Sequence, residues 1–139
     1  MKKSPAKKSG FTLIEIVIVL AIAALIMVIV FVAVQGAQRS RRDTTARNAA
    51  SQTLAAMEQY ASNNSGAYPT AAGQMVASYT TGITPTPVYS AAPVTGPNTI
   101  NYSSGKPCNG NVLAATGNAN NAAVFYWSEA SGTAVCINN

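Results

Sequence analysis

The sequence predicts an α+β fold in which a long, protruding N-terminal α-helix packs through its second half on a small antiparallel β-sheet of three or four strands. Three observations predict it. The first is an apolar run from Phe11 to Val34 with the length of a membrane span. The second is an apolar stripe that continues the helical periodicity to about Ser62, and the third is a dense group of β-forming residues near the C-terminus.

The composition limits the class of protein. The chain has 139 residues, of which 48% are hydrophobic, only 9% are charged and none is histidine. The length suits one domain, and a typical soluble domain carries roughly 25% charged residues. The net charge of +5 comes entirely from residues 1–10 and 39–47, which flank the apolar run, whereas residues 48–139 are close to neutral. Nucleic-acid binding by this second part is therefore not expected, because it lacks a basic face.

The apolar run predicts a single membrane-spanning helix. It contains 24 residues, and Glu15 is the only charged one. A helix of this size is about 36 Å long, enough to cross a hydrocarbon core of about 30 Å. The hydrophobic part of a cleaved secretory signal has only about 7–15 residues. The run is therefore expected to stay in the membrane.

Glu15 is the informative exception in this run. A carboxylate is strongly disfavoured in hydrocarbon, so it must be neutralised, reach the interface or meet a positive partner. Cleavage between Gly10 and Phe11 would create an α-ammonium group four residues away from it. One helix cannot easily close that pair on itself, but the ammonium and Glu15 of two neighbouring, staggered subunits can neutralise each other.

The segment around Glu15 resembles a known motif. The residues from Lys7 to Glu15, KKSGFTLIE, resemble the prepilin cleavage motif of type IV pilins and the related pseudopilins. The resemblance implies that a prepilin peptidase cleaves after Gly10 and methylates the amine of Phe11, and that Glu15 acts in subunit assembly. The apolar run departs from the common pattern of this family because it has no proline. Gly36, just past the run, is the expected weak point of the helix, since glycine is a poor helix former.

The helical pattern continues beyond the apolar run. An apolar stripe predicts the face that docks on the sheet: Ala46, Ala50, Leu54, Met57 and Ala61. Asn63–Gly66 is a helix stop, so the helix is expected from about Phe11 to Ser62. Its first half, apolar on all sides, must be covered by lipid or by other copies. Arg39, Arg41 and Arg42 either pair with acidic groups of neighbouring subunits or face solvent and lipid headgroups.

The rest of the chain predicts the sheet. Five prolines between residues 67 and 97 disfavour long strands there, although a short helix near Ala71–Tyr79 is expected. Strands are predicted at Thr99–Ser103, Val112–Thr116, Ala123–Trp127 and Thr133–Ile137, the last two joined as a hairpin through Ser131 and Gly132. Phe125, Tyr126 and Trp127 are interpreted as core and sheet residues rather than as a ligand platform.

The two cysteines predict a disulfide rather than a metal site. Cys108 and Cys136 lie on the exported side, where disulfides persist, and similar C-terminal disulfide loops occur in many type IV pilins. A metal site needs more ligands than two thiols. With one aspartate and no histidine, neither a catalytic site nor a bound metal or cofactor is expected, and Glu58 and Glu129 are interpreted as solvated side chains.

Together these predictions divide the chain into five segments. They are a leader peptide at 1–10, a transmembrane or filament-core helix half at 11–34, an amphipathic helix half at 35–62, a variable helix-to-sheet loop at 63–98, and an antiparallel sheet with a C-terminal disulfide loop at 99–139.

The resemblance implies a structural subunit, most like the major pilin of a type IV pilus. It would be a single-pass precursor in the cytoplasmic membrane with its head outside, and a surface filament once assembled. Its expected partners are prepilin peptidase, the assembly platform and other copies of itself, and the filament would support adhesion, motility or DNA uptake. Two alternatives stay open: a pseudopilin of a type II secretion or competence apparatus, and a minor tip adhesin or DNA-binding pilin.

Overall fold

A computed structural model describes residues 10–75 and 77–139. The predicted leader therefore lies outside the described residues, except for Gly10. The elements are α1 Leu13–Asn63, α2 Ala77–Thr80, β1 Val88–Tyr89, β2 Ile100–Ser104, β3 Cys108–Asn109, β4 Val112–Leu113, β5 Ala122–Ser128 and β6 Thr133–Asn138. The predicted α+β class, a long N-terminal helix followed by a small, mainly antiparallel sheet, is confirmed.

Helix α1 is continuous over 51 residues and passes through Gly36 without a break. It begins two residues later than predicted, because Thr12 acts as its N-cap. It ends where the Asn-Asn-Ser-Gly stop was predicted. There the amide of Gly66 donates to the carbonyl of Ala61 at 2.7 Å, and Gly66 adopts φ 85°, a left-handed conformation that glycine tolerates best.

The chain divides into two compact units, one ending at Ala37 and the other starting at Gln38. In the first unit, every side chain from Phe11 to Val34 is exposed, including 86% of Phe11 and 68% of Phe31. Within the described residues, α1 is the one helix that is long and apolar enough to cross a membrane. The first unit thus presents an apolar surface that nothing in the described part of the chain covers.

The second unit contains the sheet, with strand order β1-β2-β5-β6. Strands β2, β5 and β6 are antiparallel neighbours, whereas β1 pairs in parallel with β2. The fourth strand was expected at Val112–Thr116. Instead, Val112–Leu113 pairs with Cys108–Asn109 as a separate hairpin, because the two-residue loop at Gly110 and Asn111 turns the chain back on itself.

One face of the sheet packs on the second half of α1. Val124 and Ile100 from the sheet and Met57 from the helix are at most 1% exposed and form the centre of the core. The predicted stripe faces this core, but the docking face is wider than predicted, since Ala49, Thr53 and Ala56 are also buried. The hydroxyl of Thr53 donates to the carbonyl of Ala49 at 2.8 Å, so this buried polar group is satisfied.

The core also contains a pair of tyrosines in contact. The rings of Tyr89 and Tyr102 meet edge to face with their centroids 5.5 Å apart. Tyr102 is only 3% exposed. Burial, together with the nearby Tyr89 and Tyr60, raises the pKa of the Tyr102 hydroxyl above its ordinary value, so this group stays neutral.

The disulfide lies beside β5, on the neighbouring strand β6. Ala123 and Phe125 alternate with the helix-facing residues of β5, and Phe125 is fully buried. Cys136 on β6 lies directly opposite Phe125, and its sulfur is bonded to Cys108 of the β3–β4 hairpin. The predicted disulfide therefore joins the hairpin to the edge strand of the sheet beside Phe125.

Candidate functional site

The residues that follow Gly10 form a capping box at the start of α1. The backbone amide of Thr12 donates to a carboxylate oxygen of Glu15 at 2.8 Å, and the Thr12 hydroxyl donates to the same oxygen at 2.7 Å. In return, the backbone amide of Glu15 donates to the Thr12 hydroxyl oxygen at a longer 3.4 Å. Threonine at the N-cap and glutamate three residues later is the pattern that satisfies two free amides of a helix start.

This capping box gives Glu15 a local partner in the uncut chain. The predicted partner, an ammonium group on Phe11, exists only after cleavage. Before cleavage, the carboxylate is held by two donors of Thr12. This contact was not predicted, although the pattern Thr-x-x-Glu at a helix start is the sequence signal for it.

Gly10 and Phe11 lie exposed at the same end. No described atom would lie within 4 Å of a Cβ added to Gly10. The described part of the fold therefore shows no steric need for glycine at this position.

A second group of polar contacts joins α1 to the turn between β5 and β6. One carboxylate oxygen of Asp43 accepts the backbone amide of Glu129 at 2.6 Å. The other accepts the amide of Ala130 at 3.0 Å and the hydroxyl of Ser128 at 3.2 Å. The neighbouring Arg42 pairs with the carboxylate of Glu129 at 3.2 Å. We call this set, Arg42 and Asp43 with residues 128–130, the helix–turn clamp.

The helix–turn clamp was not predicted. Arg42 was expected to meet a neighbouring subunit, solvent or lipid headgroups, and Glu129 was expected to be solvated. Both are instead engaged with each other within the chain, and only 16% of the Glu129 side chain is exposed. The available signal was Asp43, the only aspartate of the chain, placed among arginines on a helix, together with a hairpin turn whose amides need acceptors.

We predict that Asp43→Ala lowers the free energy of unfolding by about 2–3 kcal/mol, because it leaves two turn amides and a hydroxyl without their acceptor. The matched control is Arg42→Gln, which removes only an exposed ion pair and is expected to cost about 0–1 kcal/mol. Urea unfolding of the full chain in detergent, followed by the fluorescence of the single tryptophan, Trp127, measures both. Equal losses for the two variants would contradict this assignment.

The structure places the other predicted residues as follows. Cys108 and Cys136 form a disulfide. Phe125 and Tyr126 are buried, and Trp127 is half-buried. Glu58 is exposed on α1. Among residues 10–75 and 77–139, no three His, Cys, Asp or Glu side chains form a group that suits a metal ion.

Comparison with known proteins bears on the N-terminal segment. The family model described as "Prokaryotic N-terminal methylation motif" matches residues 5–31. This match includes Gly10, Phe11 and the capping box, and it extends into the exposed apolar part of α1. No curated protein and no solved structure matches the chain.

Proposed function

We propose that this chain, which its methylation motif marks as a type IV pilin-like prepilin, is a structural subunit of a type IV pilus. The motif implies a precursor that a prepilin peptidase processes and that assembles with other pilins. The apolar helix suits a membrane-anchored precursor. In this proposal, the peptidase cleaves after Gly10 and methylates Phe11, and the processed chain enters a surface filament. The finer role proposed is that of the major subunit.

One observation carries this proposal. The motif leads directly into a helix segment whose side chains, from Phe11 to Val34, are all exposed in the single chain. An apolar surface of this extent, on every side of a helix, is stable only in lipid or against other apolar helices. A subunit that is stored in a membrane and then packed helix against helix into a filament uses both environments.

The charge distribution supports the same role. The second unit has few charged side chains, so repeated copies along a fibre would not accumulate strong like-charge repulsion. No catalytic role is proposed, since the families that share this motif are structural. Glu15, the only charged residue of the exposed run, is proposed to pair with the ammonium of Phe11 on a neighbouring copy.

Mass spectrometry of sheared surface fibres tests the proposal. We predict a fibre protein that begins at N-methylated Phe11 and contains the intact disulfide. Gly10→Val is expected to leave the precursor uncut in the membrane and to abolish the fibres. Gly36→Ala is the matched control, because this glycine also has open space around it and lies outside the cleavage site.

Three results would overturn the proposal. A fibre protein that retains residues 1–10 would contradict the processing step. Processed protein that stays in the cell envelope without long surface fibres would favour a pseudopilin instead. A fibre in which this chain is present only in a few copies would favour a minor tip subunit.

A further inference from the structure

We propose that Arg39 and Arg41 form a binding surface for anionic phospholipid headgroups, on the exported side of the membrane, in the precursor. This inference rests on the proposed insertion of residues 11–34 into a membrane. We call these two residues the arginine collar. The collar holds the stored subunit at a fixed depth before assembly.

The first step is the pairing of charges. Four arginines follow the apolar run: Arg39, Arg41, Arg42 and Arg47. All four are exposed, but only Arg42 forms an ion pair within the described residues, with Glu129. Asp43 is occupied by the turn between β5 and β6. The other three arginines therefore have no anion from the described part of their own chain.

A second copy of the chain cannot supply enough anions. Glu15 is held by Thr12 and is proposed to meet Phe11, so Glu58 is the acid of the described residues that no contact engages. One carboxylate per copy does not neutralise three arginines per copy. The excess positive charge is therefore balanced by anions from outside the protein, and the headgroups of the membrane next to the helix are an abundant source.

The distance along α1 selects Arg39 and Arg41. A hydrocarbon core of about 30 Å takes up about 20 helical residues. If Glu15 marks one boundary of the hydrocarbon core, the other boundary falls near Gln35. The headgroup layer, about 5–7 Å thick, then extends over about four further residues to Arg39. Arg41 lies about 3 Å of helix rise beyond Arg39, and its long side chain can bend back to reach the headgroups.

The directions in which the two side chains leave the helix favour a lipid layer as their partner over a single protein. Successive helical residues are about 100° apart, so Arg39 and Arg41 point to nearly opposite sides of α1. One neighbouring side chain, or one face of a nucleic acid, cannot contact both. A ring of headgroups surrounds the helix and can contact both at once. Arg47, about 12 Å of helix rise beyond Arg39, lies past the headgroup layer.

The test uses the full-length, uncut chain in vesicles that contain phosphatidylglycerol and phosphatidylcholine in equal amounts. A photoreactive benzoylphenylalanine replaces Ser40, which is exposed between the two arginines. The readout is the ratio of phosphatidylglycerol to phosphatidylcholine adducts. Each arginine near an anionic surface is worth about a fivefold enrichment, so Arg39→Gln with Arg41→Gln should lower the ratio by up to about 25-fold.

The controls separate charge from position. Arg39→Lys with Arg41→Lys keeps the charge and should keep the preference for phosphatidylglycerol. Arg47→Gln removes an equally exposed, unpaired arginine two turns further on and should change the ratio less than about twofold, since the attraction falls off within a Debye length. High salt should weaken the preference of the wild-type chain.

Three results would overturn the proposal. Equal labelling of the two lipids by the wild-type chain would show that the collar does not select anionic headgroups. Adducts with a second copy of the chain in place of lipid would assign the arginines to a subunit contact. A second probe at Ile22 reports insertion itself. If it labels no lipid, residues 11–34 are not in the membrane and the proposed function fails as well, whereas lipid labelling at Ile22 without selectivity at Ser40 removes only the collar.

Discussion

Glu15→Ala is expected to reduce the number of surface filaments to below about one-hundredth of the wild-type number, while cleavage after Gly10 continues. The protein should accumulate as a processed, membrane-held chain. Counting fibres by electron microscopy and measuring the mass of the membrane-held protein give the two readouts. This is the largest effect that we expect from a single substitution outside the cleavage site.

The physical reason is the environment that the carboxylate enters. In the proposed filament, Glu15 would lie among the apolar helices of neighbouring copies, where an unpaired charge is strongly disfavoured. The ammonium of a processed Phe11 on a neighbouring copy would neutralise it, and the pair would form only at one axial stagger. In this proposal the pair acts chiefly by selecting the alignment of two otherwise featureless apolar surfaces, and alanine removes that selection.

The capping box supplies a competing explanation that must be separated from this one. Glu15 also satisfies the amide of Thr12 at the start of α1. Glu15→Gln keeps an oxygen that can accept this hydrogen bond but removes the charge. Thr12→Val keeps the Glu15 carboxylate and its hydrogen bond from the backbone amide of residue 12. It removes the hydroxyl that donates to the same carboxylate.

The two variants give opposite expectations. If charge pairing controls assembly, Glu15→Gln loses its filaments almost as completely as Glu15→Ala, and Thr12→Val retains most of them. If the helix cap is what matters, Glu15→Gln makes filaments in normal numbers and Thr12→Val loses them. The second pattern would refute the role proposed for Glu15.

Local features of the sequence predicted most of the fold. The apolar run and the stripe from Ala46 to Ala61 repeat with helical periodicity, and the β-forming cluster from Ala123 to Trp127 is unambiguous. These signals depend on neighbours within a few residues. The parallel pairing of β1 with β2 could not be predicted from such signals, because a two-residue strand between prolines has no periodicity and is defined only by the strand beside it.

The same distinction applies to the candidate site. The residues of the cleavage motif are contiguous, so they were visible in the sequence, as was the disulfide, since the chain has only two cysteines. Asp43 and the turn that it holds are more than 80 residues apart. Nothing in either segment alone says which acceptor the turn amides will find, and the contact exists only once the sheet has docked on α1.

Removal of the disulfide is the second large effect that we expect. Replacing Cys108 and Cys136 with serine should lower the free energy of unfolding by about 3–4 kcal/mol, because the bond closes a loop with a sequence separation of 28. The urea midpoint should fall by between about 1 and 4 M. Unfolding of the full chain in detergent, followed by Trp127 fluorescence, measures it. The matched control is the wild-type chain after reduction, which should unfold at the same midpoint, while the reductant should not affect the serine variant.

The position of the disulfide predicts which part of the fold loses stability first. Residues 105–121 contribute no strand to the four-stranded sheet, and none of them is fully buried. Their placement relies on the disulfide and on a few backbone bonds, such as the amide of Ala114 to the carbonyl of Pro107 at 2.9 Å. The backbone at Gly117 passes so close to residue 105 that a Cβ at Gly117 would overlap the carbonyl oxygen of Gly105.

Without the disulfide, amide exchange should quicken first in residues 105–121. Exchange in β5 should quicken only afterwards, because Phe125 then loses the anchored hairpin beside it. Exchange that quickens first in α1 or β2 would show instead that the bond stabilises the helix-facing core.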